Sequence, residues 1–214
     1  MKFVSWSGGK DCSFALYKYV QAGGRDVGCL LNMIRNTPLS GHRISNALFE
    51  AQAEQLGLPI IREAVDRENG YIHHFDKAIL ALKEQGYDGG IFGDLYLESH
   101  REWIETQCER LGIEPIFPLW GISVHDLYRE FIEAGFVAEI IGVAKQYKEF
   151  LGQDLSMELY DKFIQYEGFD VCGENGEYHT FVAQSPLYKA KIESTVIDRF
   201  ENEKLYGLEI DLAK

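Results

Sequence analysis

The sequence predicts an α/β fold: a doubly wound, mostly parallel sheet with a small C-terminal α+β subdomain. Three observations predict it. Strand and helix patterns alternate from residue 2 to about residue 143, which implies parallel strands joined by right-handed crossovers. Val27–Ile34 is a nearly continuous apolar run, as a strand covered on both faces requires. Beyond about residue 145 the alternation gives way to one helical piece and several short strands. The chain is therefore divided at 1–145 and 146–214.

In order, Lys2–Trp6 reads as a short strand entering a glycine turn. Phe14–Ala22 reads as a helix with Phe14, Leu16, Tyr17 and Val20 apolar, stopped by Gly23-Gly24. Val27–Ile34 is the second strand. After a polar loop, Ser45–Leu56 is helical and ends at Gly57, and Leu58–Arg62 is a strand. Tyr71–Gln85 places Ile72, Phe75, Ile79 and Leu82 at helical spacing. Gly89–Leu95 is a strand, Glu98–Leu111 a helix stopped by Gly112, and Glu114–Trp120 a strand. Ser123–Ala134 is a capped helix stopped by Gly135, and Ala138–Val143 is the last strand of the series. In the C-terminal part, Met157–Glu167 is helical and Phe181–Ala183, Lys189–Ile197 and Lys204–Leu212 are short strands.

Composition narrows the function. With 34 acidic and 21 basic residues the net charge is −13, which disfavours a broad nucleic-acid footprint built on Lys and Arg. No stretch reaches the ~18 apolar residues of a membrane span, and the start lacks the marks of a signal peptide. Cys12, Cys29, Cys108 and Cys172 form no Cys-x-x-Cys pair and read as free thiols in a reducing, cytoplasmic setting. The aromatic content of 13% leaves room for an interface with a second copy.

Ser7-Gly8-Gly9-Lys10-Asp11-Cys12-Ser13 lies between the first strand and the first helix. Glycines allow a tight turn and close ligand approach, and a helix start offers amides and partial positive charge. Lys10 adds a point charge and Ser7 a hydroxyl. An ordinary strand–helix turn has the same glycines. A second segment, Val171-Cys172-Gly173-Glu174-Asn175-Gly176-Glu177-Tyr178-His179-Thr180-Phe181, sets two glutamates around an Asn-Gly turn. Glu174 and Glu177 either converge on one site or are solvated acids of a hairpin turn.

The first segment resembles the Ser-Gly-Gly-x-Asp-Ser/Thr loop of the N-type ATP pyrophosphatase superfamily, whose members cleave ATP between the α and β phosphates. The resemblance implies a Rossmann-like adenine nucleotide alpha hydrolase fold. It also implies that Ser7, Gly8, Gly9 and Asp11 hold the pyrophosphate end, assisted by Lys10, with Asp11 a magnesium ligand. Cys12 stands where that loop has Ser or Thr, so a weak thiol donor replaces a hydroxyl, with Ser13 or water as a substitute.

The second segment is similar to the Gly-Glu-Gly-Gly-Glu-Tyr/Phe-Glu-Thr-Phe signature of the diphthine–ammonia ligase family. Ser185-Pro186-Leu187-Tyr188-Lys189, Gln52–Pro59, Ile141-Gly142-Val143-Ala144 and Leu151-Gly152 resemble further elements of that family in the same order. The resemblance implies an ATP-dependent ligase. It would adenylate a carboxylate, release pyrophosphate and form an amide with ammonia or another amine; the family's acceptor is diphthine on elongation factor two. Lys10, Asp11, Glu174 and Glu177 become the expected catalytic groups. Asn175 replaces a glycine of the signature and His179 a glutamate, as in bacterial-type relatives. Gly176 and His179 join Glu174, Asn175 and Glu177 as acceptor-side candidates.

Other residues have two readings each. Gly93-Asp94 follows a strand at the ligand-binding edge, where Asp94 holds magnesium or an amine, or merely caps a loop. Arg101 receives a carboxylate or phosphate, or makes a surface ion pair. His42 matches a family histidine, or packs locally. Met33 flanks adenine or belongs to the core. His73-His74 are adjacent on a helix and make a poor metal pair. Two other functions compete: a nucleotide-binding sensor without turnover, kept open by Cys12, and a thiolase-like tRNA-modifying ATP pyrophosphatase.

Overall fold

The computed structural model describes residues 1–35, 43–66 and 68–213. They form two compact units. The first comprises Met1–Ser7, Asp11–Thr37 and Gly57–Gly121; the second comprises Gly8–Lys10, Pro38–Leu56 and Ile122–Lys214.

The first unit is built on five parallel strands in the order β4-β2-β1-β5-β6: β1 Lys2–Ser5, β2 Val27–Arg35, β4 Ile60–Val65, β5 Gly89–Ile91 and β6 Glu114–Ile116. The chain moves outward from β1 to β2 and β4, then returns to the other side of β1 for β5 and β6. That reversal makes the carboxyl ends of β1 and β5 the crevice where such sheets take ligands. Strand alternation sends Phe3, Cys29, Leu31 and Phe92 to one face. There they meet Phe75, Ile79 and Leu82 of α3 (Gly70–Glu84) and Ile104, Cys108 and Leu111 of α4 (Glu98–Leu111). Val4, Leu30 and Ile91, also buried, point to the opposite face. Right-handed crossover puts α1 (Lys10–Gln21) on that side. The sheet is thus doubly wound, as expected.

The second unit holds a mixed sheet ordered β3-β10-β7-β8, with β9 also on β10. Its strands are β3 Arg43–Ile44, β7 Val137–Ala144, β8 Tyr178–Gln184, β9 Ser194–Glu201 and β10 Leu205–Leu212. β7 runs antiparallel to β8 and β10, whereas β3 is parallel to β10. Leu48 of α2 (Asn46–Leu56) packs with Ile141, Phe181, Leu208 and Ile210 in its core. An aromatic stack runs beside it: Phe163, at the end of α6 (Met157–Phe163), lies 4.4 Å from Phe169 and 5.4 Å from Tyr178, ring to ring.

Two strand expectations differ from this architecture. The strand at 138–143 does not extend the parallel series; it is the β7 strand of the mixed sheet. An apolar run shows that a strand is buried without showing its partners. By contacts the second unit takes in Ile122 onward, and α5 (Val124–Glu133) belongs to it. Residues 189–192 are not strand, and β9 begins at Ser194. All four cysteines are buried with free thiols. Among the described residues no helix is long and apolar enough to cross a membrane.

Candidate functional site

The glycine loop between β1 and α1 is shaped by its backbone partners. The Trp6 amide donates to the Leu31 carbonyl, and buried Asn32 donates to the Trp6 carbonyl at 2.7 Å, fixing the chain where it leaves the sheet. Gly8 then takes φ of +80°, and a Cβ there would stand 3.1 Å from Gln52 Oε1 and Phe49 Cε1. Both the turn and the space require glycine. The Gly8 carbonyl accepts from the Val182 amide and from Gln52 Nε2, each at 3.0 Å. The same Gln52 nitrogen donates to the Val182 carbonyl at 2.9 Å. Gln52 is fully buried, so this one amide bridges the loop to β8.

The start of α1 is capped from β8. Thr180 Oγ1 accepts from the Lys10 amide at 3.0 Å, satisfying one of the orphan N–H groups of the helix. Lys10 is itself buried, with Nζ 5.4 Å from the Tyr178 ring centroid. Next to Tyr178, burial and then the Lys10 charge push the His179 imidazole down from 6.5 to about 4. His179 is therefore neutral near pH 7. Because its folded value lies below the unfolded one, its contribution to stability is complete above pH 6.5 and is lost as pH falls toward 4. We expect its imidazole resonances to titrate with a midpoint near 4. A midpoint at an ordinary histidine value would remove burial and Lys10 as its environment.

Within the first unit, Ser7 Oγ and Cys12 Sγ lie 3.5 Å apart. Gly93 approaches the same turn: a Cβ there would fall 2.7 Å from the Asp11 carbonyl carbon and 2.9 Å from the Cys12 nitrogen. Asp94 follows. Burial raises its pKa, the Asp11 charge raises it further, and His100, 3.6 Å away, opposes them. Asp11 and Asp94 thus form a pair of neighbouring carboxylates at the crevice between β1 and β5. Among the described residues no group of three His, Cys, Asp or Glu could hold a metal by itself. Two carboxylates that leave the remaining positions to phosphate oxygens and water fit magnesium chemistry.

The glycine–acid loop is built around one of its two glutamates. Glu177 is buried and turned inward, accepting from the Asp170 amide at 3.1 Å and the Asn175 amide at 3.0 Å. The Tyr178 hydroxyl donates to the Val171 carbonyl at 2.6 Å. Gly173 and Gly176 both have positive φ, and Asn175-Gly176 form the exposed tip, with Glu174 half-buried beside them. Glu177 thereby organises the loop that presents Tyr178, His179 and Thr180.

The expected residues fall into groups. Lys10 and His179 come together, with Thr180 beside them, and Asp11, Gly93 and Asp94 come together, with His100 beside Asp94. Met33 is half-buried against the first unit's core. The Ser13 hydroxyl is buried without a hydrogen-bond partner among the described residues. His42 lies outside the described residues. Gln52 and Thr180 were not singled out from the sequence. Gln52 did leave a trace: a glutamine on the buried face of α2 otherwise made of Leu48, Phe49 and Ala53. Gln52→Leu is expected to leave a buried carbonyl short of its donor, lowering stability by about 2 kcal/mol. A urea midpoint unchanged from the parent would refute the bridge.

Two family models cover most of the chain. The one described as the diphthamide synthase N-terminal domain matches residues 1–115, and the one described as the diphthamide synthase C-terminal domain matches residues 123–212. The chain belongs to the diphthamide synthase family. The gap between the two matches falls beside Gly121, where the first unit ends. Relatives named diphthine–ammonia ligase match along both chains. The zebrafish (Danio rerio) protein is 29% identical over 221 residues, covering 91% of this chain and 85% of its own. The mouse (Mus musculus) protein is 27% identical, with 91% and 82% covered. The human protein is 28% identical, with 87% and 79% covered. A solved structure described as a predicted subunit of tRNA methyltransferase from Methanocaldococcus jannaschii aligns with a TM-score of 0.42 and 20% identity, over 86% of this chain and 98% of that one.

Proposed function

We propose that this member of the diphthamide synthase family is an ATP-dependent ligase. It adenylates a carboxylate, releases pyrophosphate, and joins the activated acyl group to ammonia or another amine. The observation that carries the reading is the Ser7–Asp11 loop at the carboxyl end of β1, with Gly8 held by Gln52, Lys10 by Thr180 and Asp11 neighboured by Asp94, in a chain matched along its length by relatives named diphthine–ammonia ligase.

A carboxylate is a poor electrophile, and adenylation gives it a good leaving group. In this reading Ser7, Gly8 and Gly9 cradle the pyrophosphate end and Lys10 contributes a positive charge. Asp11 and Asp94 hold magnesium, which offsets phosphate charge when bound. Glu177 acts by positioning: it shapes the loop that carries His179 and Thr180. Neutral His179 can accept or donate a hydrogen bond near the acceptor without adding charge. The relatives' name points to a diphthine-type carboxylate as acceptor and ammonia as amine. Asn175 and His179, which depart from the ligase signature, bear on the acceptor and not on ATP.

The test is the product set formed from ATP, magnesium, ammonium and a pool of carboxylates. AMP and pyrophosphate support the reading, whereas ADP and phosphate overturn it. Tight ATP binding without products, with diphthine-bearing acceptor supplied, would favour a sensor instead.

A further inference from the structure

Arg101 stands in the first turn of α4, seven residues beyond Asp94, at the carboxyl edge of the parallel sheet. Its guanidinium lies 4.8 Å from the Trp120 ring centroid and 5.6 Å from that of Phe117. Its Nε donates to Glu105 Oε1 at 2.7 Å. Trp120 is held in turn: its amide donates to the Phe117 carbonyl, and the next amide, that of Gly121, donates to Leu95 in the β5–α4 connection at 3.0 Å. The guanidinium therefore stands over two aromatic rings and is held along its Nε edge by a carboxylate. Its two terminal nitrogens meet no hydrogen-bond partner among the described residues, and its side chain is 35% exposed.

We infer that Arg101, laid on Trp120 and Phe117 and braced by Glu105, is a subsite for a single carboxylate, that of the ligase's acceptor. A guanidinium can pair with a carboxylate through its Nε edge or through its terminal fork; Glu105 takes the first and leaves the fork. The aromatic contacts and Glu105 restrain the side chain beforehand, so little side-chain freedom is lost when an anion docks. The charge balance selects the anion. Glu98, Glu102 and Glu105 share the helix with Arg101 and repel a polyphosphate more strongly than a singly charged group. An ordinary i, i+4 surface pair would need no aromatic platform.

The inference rests on the ligase reading but is tested apart from it. Acetate and pyrophosphate are titrated into the full chain while the arginine side-chain nitrogen resonances are followed, with those of Arg101 assigned by Arg101→Lys. Acetate should shift the Arg101 signals saturably. Trp120→Phe should bind it within two-fold of the parent, and Trp120→Ala about five-fold more weakly. Pyrophosphate moving these signals at lower concentration than acetate would make this a phosphate subsite and overturn the inference. No response to either anion would reduce Arg101 to a surface ion pair. Failure here leaves AMP formation untouched, and absence of AMP formation leaves the titration untouched, so the two ideas fail separately.

Discussion

Asp11→Asn is expected to lower AMP formation on the order of 10³-fold, the scale of losing one electrostatic stabiliser of a developing charge. The change is nearly isosteric, so the loop and the Thr180 cap on the preceding Lys10 amide are retained. What is lost is one of two neighbouring carboxylates. Asp94 supplies a second readout that a merely unfolded loop would not give. Its pKa is raised first by burial and additionally by the Asp11 charge. Removing that charge should bring the Asp94 value down, which a carboxyl-carbon NMR titration can follow. Unchanged turnover, or an Asp94 titration that does not move, would show that the two carboxylates do not act as a pair.

Gly93→Ala should have the next largest effect. The added methyl would meet Asp11 and Cys12 backbone atoms at 2.7–2.9 Å, below any real Cβ contact. No rotamer can relieve this, because the obstructing atoms form the first turn of α1. Either the end of β5 or the helix start must shift by a sizeable fraction of an ångström. Misplacement near 1 Å at a reacting centre costs about 100-fold in rate, and overpacking costs about 1–3 kcal/mol in stability. The expected variant folds, melts earlier, and forms AMP about 100-fold more slowly. Parent-like kcat/KM would mean that the close approach of β5 to the loop is not needed for chemistry.

These two residues also show how far the sequence could be read. The place of Asp11 was legible because its setting is local: strand, two glycines and an acid, which falls in the first turn of α1. The helix 98–111 was legible to the residue because Gly112 ends it in a left-handed conformation with φ of +63°. The reason for Gly93 was not legible. Its partner lies some eighty positions earlier in the chain, and only the β1–β5 pairing brings them together. Thr180 is hidden in the same way, since it caps an amide 170 residues away. The inward turn of Glu177 depends on amides of its own loop, which an Asn-Gly signature does not orient. The depressed value of His179 depends on burial and on Lys10, neither visible in the string around it. Strand order was inaccessible for β7 because apolar content sets burial and leaves pairing to the rest of the chain.

The threading of the second unit bears on how the protein is made. Gly8–Lys10 belong to that unit, and β3 at residues 43–44 pairs with residues 209–210 of β10. During synthesis the amino-terminal strand, helix and sheet can collapse early, yet the middle of the glycine loop waits for Val182 and Thr180, and the β3 strand waits for residues 209–210. Contacts so distant in sequence close slowly. A chain that stops short of residue 180 therefore carries a parallel sheet whose glycine loop lacks its β8 partners. On the proposed reading, nucleotide engagement waits for the strands that pin the glycine loop, β8 above all.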